Sequence, residues 1–328
     1  MTPLRVMKVE ALMKQRTRSN LAALVVMLLL VVIAAAACRR DARDESAATV
    51  AAASQAVARQ GCASNERIVS LSPSTTEVLY GIGMFPCVVA VSDYDKVPAE
   101  TAQLPHVGGW SNTNLEQVAQ LRPTLVVMAD AQAPFVKDKL DTLGLRTVVV
   151  PSRSVEDALA GIEQLGRALH REAEATKLLE ETRAALADVR ARTRDLPHPR
   201  VLCVVDRVPG TLRGLYTAAP GSFIAQLLEV AGAESIAPPA ANGYGQISKE
   251  AVVTLNPDVI IDMVQGDAGN RLAEDPKEVW RELAQVKAVR DGRIYPVRDT
   301  SVLHPSQFVA DTARQFATLL HPDVFGTP

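Results

Sequence analysis

The chain has 328 residues, 48% of them hydrophobic but only 4% aromatic, and a formal net charge of −2. Near-neutral charge, with no basic block beyond an N-terminal cluster, argues against a nucleic-acid partner. Without its leader and tether, about 265 residues remain, enough for two lobes of ordinary domain size or one large domain.

In chain order, Arg5, Lys8, Lys14, Arg16 and Arg18 precede an uncharged run from Leu21 to Ala37, and Cys38 follows directly. Basic segment, apolar segment and small residues before a cut are the order of a secretory signal. A permanent membrane helix competes with this reading, because seventeen apolar residues at about 1.5 Å each approach the thickness of a bilayer core. Processing is favoured by the small side chains of Ala34 to Ala37 and by a thiol placed to accept a diacylglycerol. Ala35-Ala36-Ala37-Cys38 resembles the bacterial lipobox, with Ala35 where the pattern prefers Leu. Residues 1–37 are therefore expected to be a signal peptide and Cys38 a lipidation site, since several acyl chains anchor more firmly than one. Residues 38–62, rich in Ala, Ser, Arg and Asp, read as a flexible tether. The mature chain is thereby expected in the periplasm or at the cell surface, held to a membrane.

Three further cysteines follow, Cys62, Cys87 and Cys203. In an oxidising compartment Cys62 and Cys87 are expected to form a disulfide near the first two strands, three free thiols being the alternative. Cys203 falls inside an apolar strand.

From Arg67 onward, short β-branched runs alternate with helical stretches, the pattern of parallel sheets covered by helices. Strands are predicted at 68–71, 88–91, 125–128 and 147–150. Between them lie helices from Ser74 to Gly81, from 115 to 121 and from 136 to 143. Ser74 with Glu77 reads as a capping box opening the first helix. These elements make an N-terminal α/β lobe over residues 63–152. Residues 153–197 are dense in Ala, Leu, Glu and Arg and read as helix in two pieces breaking near His170. The second piece, about 36 Å long, has the span of a small domain and would serve as a backbone helix between lobes. In a C-terminal α/β lobe over residues 198–328, strands are predicted at 201–205, 259–262 and 294–297. Its helices are predicted at 223–231, 249–255, 279–283 and 307–320.

One unit recurs. Leu115 to Val127 and Ser248 to Ile261 each read as a short helix with an early glutamate, Glu116 or Glu250, then a turn proline and an apolar strand. The lobes are accordingly expected to be pseudo-repeats.

Arg67-Ile68-Val69-Ser70-Leu71-Ser72-Pro73-Ser74-Thr75-Thr76-Glu77, the Val91-Ser92-Asp93-Tyr94 segment and both helix–proline–strand units resemble the periplasmic binding proteins of vitamin B12, iron-siderophore and haem importers. The resemblance runs from Arg67 to Pro322 and is nearest to the cobalamin-binding branch. It implies two α/β lobes with mainly parallel sheets, a long helix joining them and a ligand cleft between. Gly109-Trp110-Ser111-Asn112 looks like the segment that presents a tryptophan to the corrin, and Gly243-Tyr244-Gly245-Gln246 like its counterpart on the other lobe. Tyr94, Trp110, Tyr216 and Tyr244 would then line the cleft; His304, and with it His106, could approach a metal centre in cobalamin or haem, a hydrogen-bonding surface role being the alternative for a loop histidine. Aromatic rings suit a large flat ligand.

The chain departs from the pattern at Ala129-Asp130-Ala131, where a second tryptophan is usual, and at Asp299 to Pro305. Cobalamin or a related corrinoid is the expected ligand, with ferric siderophore and haem as alternatives. Glu116 and Glu250 would dock the two subunits of an ABC permease, the binding protein itself being a monomer with no cofactor. No Gly-x-Ser-x-Gly elbow, phosphate-binding loop, dinucleotide fingerprint or His-Glu-x-x-His is present. An enzyme is therefore the minor reading, behind a sensing or scavenging lipoprotein.

Overall fold

The computed structural model describes Cys62, residues 65–263 and residues 275–326. The expected signal peptide, the lipidation of Cys38 and the tether before Cys62 lie outside the described residues.

The first half is built on β1 (Ile68–Ser70), β2 (Val88–Ala90), β3 (Leu125–Ala129) and β4 (Thr147–Val150), paired in the order β2-β1-β3-β4 with every pair parallel. The strands β1 to β3 are wholly buried, which explains why they read as unbroken apolar runs and not as alternating ones. Helices α1 (Pro73–Gly81), α2 (Leu115–Gln120) and α3 (Ala133–Thr142) connect them. Cys62 and Cys87 are joined by a disulfide, which ties the start of the described chain to the foot of β2.

The long helical stretch divides into α4 (Val155–Ala168) and α5 (Glu172–Thr193), with His170 at φ +56° in the turn between them. The sequence predicts one spanning helix; the structure uses both. Val155 and Ala158 of α4, with Leu186 and Val189 of α5, enter the core of the second half. Ile162 and Leu165 of α4, with Ala175 and Leu179 of α5, enter the core of the first. The pair crosses tightly at Gly166, where an added Cβ would stand 2.3 Å from the Ala175 Cβ. Each helix thus has one end rooted in each half, and α5 at 22 residues is about 33 Å long.

The second half contains β5 (Arg200–Asp206), β6 (Leu215–Ala218), α6 (Phe223–Val230), β7 (Glu234–Ser235), β8 (Tyr244–Ile247), α7 (Lys249–Leu255) and β9 (Val259–Met263). It ends with α8 (Pro276–Trp280), α9 (Lys287–Arg290), β10 (Ile294–Val297), α10 (Val309–Leu320) and α11 (Pro322–Phe325). Its sheet order is β10-β9-β5-β6-β8, with β7 also on β5. The pairs of β5 with β9, β9 with β10 and β5 with β7 are parallel. Strands β6 and β8, which the sequence reading missed, add an antiparallel ribbon at one edge. The two sheets are separate, so the architecture is the expected two-lobed α/β one, with a mixed second sheet.

The repeat is visible in the pairing. Asn114 and Ser248 cap α2 and α7 by accepting from Gln117 N and Ala251 N. Both helices end at a left-handed residue, Arg122 (φ 48°) and Asn256 (φ 42°), followed by Pro123 and Pro257. The strands that follow then lie parallel to the first strand of their own half, Ile68 beside Leu125 and Val201 beside Val259. No helix among the described residues is long and apolar enough to cross a membrane.

Candidate ligand-binding site

In open parallel sheets the usable crevice lies at the carboxyl ends of the strands, where loops diverge. After β2 the chain turns at Ser92, whose N–H and hydroxyl both donate to Asp95 Oδ2 at 2.9 and 2.5 Å. Burial raises the Asp95 carboxyl above its ordinary value, against the lowering effect of those bonds. The turn leaves Tyr94 at 56% exposure. Its ring rests on Gly109, where an added Cβ would stand 3.0 Å from the ring edge. Trp110 is next in sequence and 38% exposed. Its loop is pinned by Asp93 N to Gly108 O at 3.0 Å, Gly109 N to Asn112 Oδ1 at 2.9 Å and Thr113 Oγ1 to Gly109 O at 3.0 Å. Tyr94 and Trp110 are therefore displayed together by a braced loop.

The second half displays another aromatic pair. In the β6–β8 ribbon Tyr216 faces Gln246, which puts Tyr244, two residues before Gln246, on the same face as a diagonal neighbour. The two rings stack with centroids 6.2 Å apart and planes 20° apart. Tyr216 is 43% exposed, while Tyr244 lies deeper, and burial pushes its phenol up to about 12. Among the described residues, no ring contact joins this pair to Tyr94 and Trp110.

His304 stands after β10 in the segment leading to α10. Its Nδ1 is 2.7 Å from Glu77 Oε1, and Ser306 Oγ donates to Glu77 Oε2 at 2.6 Å. Gln307 Nε2 donates to the Glu77 carbonyl at 2.8 Å. This overturns the expected capping box: Ser72 is the N-cap of α1, it makes no side-chain capping bond, and Pro73 opens the helix. Glu77 is buried in the second turn and turned toward the other half of the chain. His106 instead sits 4.0 Å from Asp93 near the surface. Among the described residues no cluster of three or more His, Cys, Asp or Glu is placed to hold a metal ion.

Glu116 and Glu250 occupy the same place in the two repeats, second residue of α2 and of α7, and both are exposed. Gln120 Nε2 donates to Glu116 Oε1 at 3.3 Å. A hydrogen bond from the Ser248 side chain holds the Glu250 carboxyl below its ordinary value, so it carries its charge at neutral pH.

Sequence reasoning missed the contact of Glu77 with His304 and Ser306, and also the buried trio beside the end of β9. Asp262 Oδ2 accepts from Arg207 Nε at 2.8 Å and from Trp280 Nε1 at 2.7 Å. The available sign was an acid inside the apolar strand Val259-Ile260-Ile261-Asp262-Met263, since a charge is buried only with a partner.

Residues 68–300 match the family model described as periplasmic binding protein. The chain belongs to that family, and is thus a non-catalytic solute-binding protein that works with a membrane permease. The uncharacterized ABC transporter substrate-binding lipoprotein YvrC of Bacillus subtilis (strain 168) is 28% identical over 264 residues, covering 79% of this chain and 81% of the relative. A vitamin B12-binding protein of Yersinia pestis (strain Pestoides F) is 27% identical over 199 residues, covering 60% of this chain and 69% of the relative. The solved periplasmic heme-binding protein RhuT of Roseiflexus sp. RS-1, in apo form, shares the fold with a TM-score of 0.69 at 22% identity, covering 80% of this chain and 100% of its own.

Proposed function

We propose that the protein is the substrate-binding lipoprotein of an ABC importer, and that it captures cobalamin or a related corrinoid and hands it to a permease dimer. The observation that carries the ligand class is the aromatic display: an exposed tyrosine and tryptophan on a braced loop of one half, and a stacked tyrosine pair on the other. Such rings offer large apolar area with little side-chain entropy to lose, which suits a broad, flat solute. Similarity to the vitamin B12-binding protein supports the corrinoid reading. The lipobox-like Cys38 and the lipoprotein relative support a membrane anchor. Glu116 and Glu250, one on each half, supply the paired charges that a two-subunit permease would read.

Haem is the second reading, and His304 favours it, because an imidazole braced by a carboxylate is a strong donor to iron or cobalt. In either case the metal arrives as part of the cargo. Calorimetric titration of the purified protein with aquacobalamin, hemin and a ferric siderophore separates these. One saturable event with aquacobalamin is expected. Saturable binding of hemin alone would move the assignment to the second reading, and no binding of any of the three would defeat the ligand class.

A further inference from the structure

We infer that Glu77 is a positioning residue of the binding site: its buried carboxylate accepts the Nδ1 hydrogen of His304 and so leaves the Nε2 lone pair of that histidine to the solute. This rests on the reading of His304 as a solute contact.

The geometry is specific. Glu77 is 1% exposed and sits in α1 of the first half, while His304 and Ser306 belong to the segment that roots in the second half through Val302 and Val309. Both carboxylate oxygens are engaged from that side, Oε1 by His304 and Oε2 by the Ser306 hydroxyl, and the Glu77 carbonyl is held by Gln307. The carboxylate accepts at Oε2 from Ser306, and the same role at Oε1 puts the hydrogen on Nδ1. The tautomer is thereby set by the bond made at the other nitrogen. Nε2 has no hydrogen-bond partner among the described residues and is not sealed off, the His304 side chain being 17% exposed. The result is an imidazole with one nitrogen fixed against a buried carboxyl group and the other left open to the solute. That arrangement orients a metal-binding histidine and raises its donor strength.

The fold adds a consequence. The histidine is carried by one half and its brace by the other, 227 residues apart in sequence. The donor is therefore correctly aimed only while the two halves are docked, so the α4–α5 joint and the Glu77 contact act on the same feature. Spacing along the chain gives no sign of this pairing.

Two measurements test it. Nitrogen-15 NMR of the histidine rings in the solute-free wild-type protein should find His304 in the Nδ1–H tautomer. Glu77→Met should move it toward the Nε2–H form. Affinity for aquacobalamin or hemin, whichever the wild type binds, should fall about 10- to 100-fold in Glu77→Met. In a His304→Ala background the same change should alter affinity less than about twofold, because independent effects would simply add.

An Nε2–H tautomer in the wild type overturns the inference, and the wild-type spectrum gives that answer even if the variant fails to fold. An equal affinity loss in both backgrounds also overturns it, since Glu77 would then act on the fold and not through His304. Failure of the wild type to bind either probe defeats the functional reading, and with it the solute half of the inference. That outcome is recognisable because the tautomer is unaffected.

Discussion

Tyr216 and Tyr244 stack across the β6–β8 ribbon as diagonal neighbours, 6.2 Å between ring centroids, with Gln246 and not Tyr244 directly opposite Tyr216. Tyr216 is exposed, while burial raises the Tyr244 phenol from 10.0 to about 12. The folded state thus favours the neutral phenol. Its stabilising effect is complete below pH 10 and disappears as pH rises through about 12. Tyr244→Phe cannot ionise, so the wild type should lose stability relative to this variant between those values. Urea midpoints at pH 8 and near pH 11.5 measure the difference, and a gap independent of pH would contradict the burial account.

Asp95 gives the corresponding test at acid pH. Burial raises its carboxyl above 3.8, so the folded state favours the protonated form. Stability from this group is fully present below pH 3.8 and is lost as pH rises through the raised value. Asp95→Asn should therefore compare better with the wild type at pH 7 than at pH 3.5. Chemical denaturation at the two values reads this directly, and the reverse order would show that the Ser92 bonds outweigh desolvation.

Glu116 and Glu250 are exposed at matching places on α2 and α7, six residues after Trp110 and Tyr244 respectively. Replacing both with alanine should leave solute affinity within about twofold, because charges at an interface rim act mainly on encounter and docking. Uptake through the cognate permease should fall at least about tenfold, one such step corresponding to about 1.4 kcal/mol. Normal uptake by the double variant would remove these residues from the docking surface.

What could be read from the sequence follows the range of the forces involved. The strands β1, β3, β5 and β9 are buried apolar runs, and α2 and α7 carry their own caps and stops within a few residues, so local pattern located them. The ribbon escaped because β6 and β8 are four residues each, and Tyr244-Gly245-Gln246-Ile247 has no run long enough to show a period. Glu77 was misread for a related reason. Its spacing from Ser74 satisfies a local capping rule, whereas its partners His304 and Ser306 come from the far end of the chain. Tyr94 and Trp110 were legible as candidates because they sit among loop residues, but their contact through Gly109 was not.

In the proposed mode of binding, surfaces from two halves of one chain hold a single solute. The most direct measurement is the dissociation constant for aquacobalamin in the wild type, Trp110→Ala, Tyr216→Ala and the double variant. Calorimetry suits all four, and Trp110 quenching checks the wild type against Trp280, the second tryptophan, which is buried. Truncating a central aromatic contact typically removes more than about 1.4 kcal/mol, or tenfold in affinity. Each single variant should weaken binding at least about tenfold at an unchanged stoichiometry of one. Full affinity in either single variant would mean that one half binds alone, and the two-sided grip would be wrong.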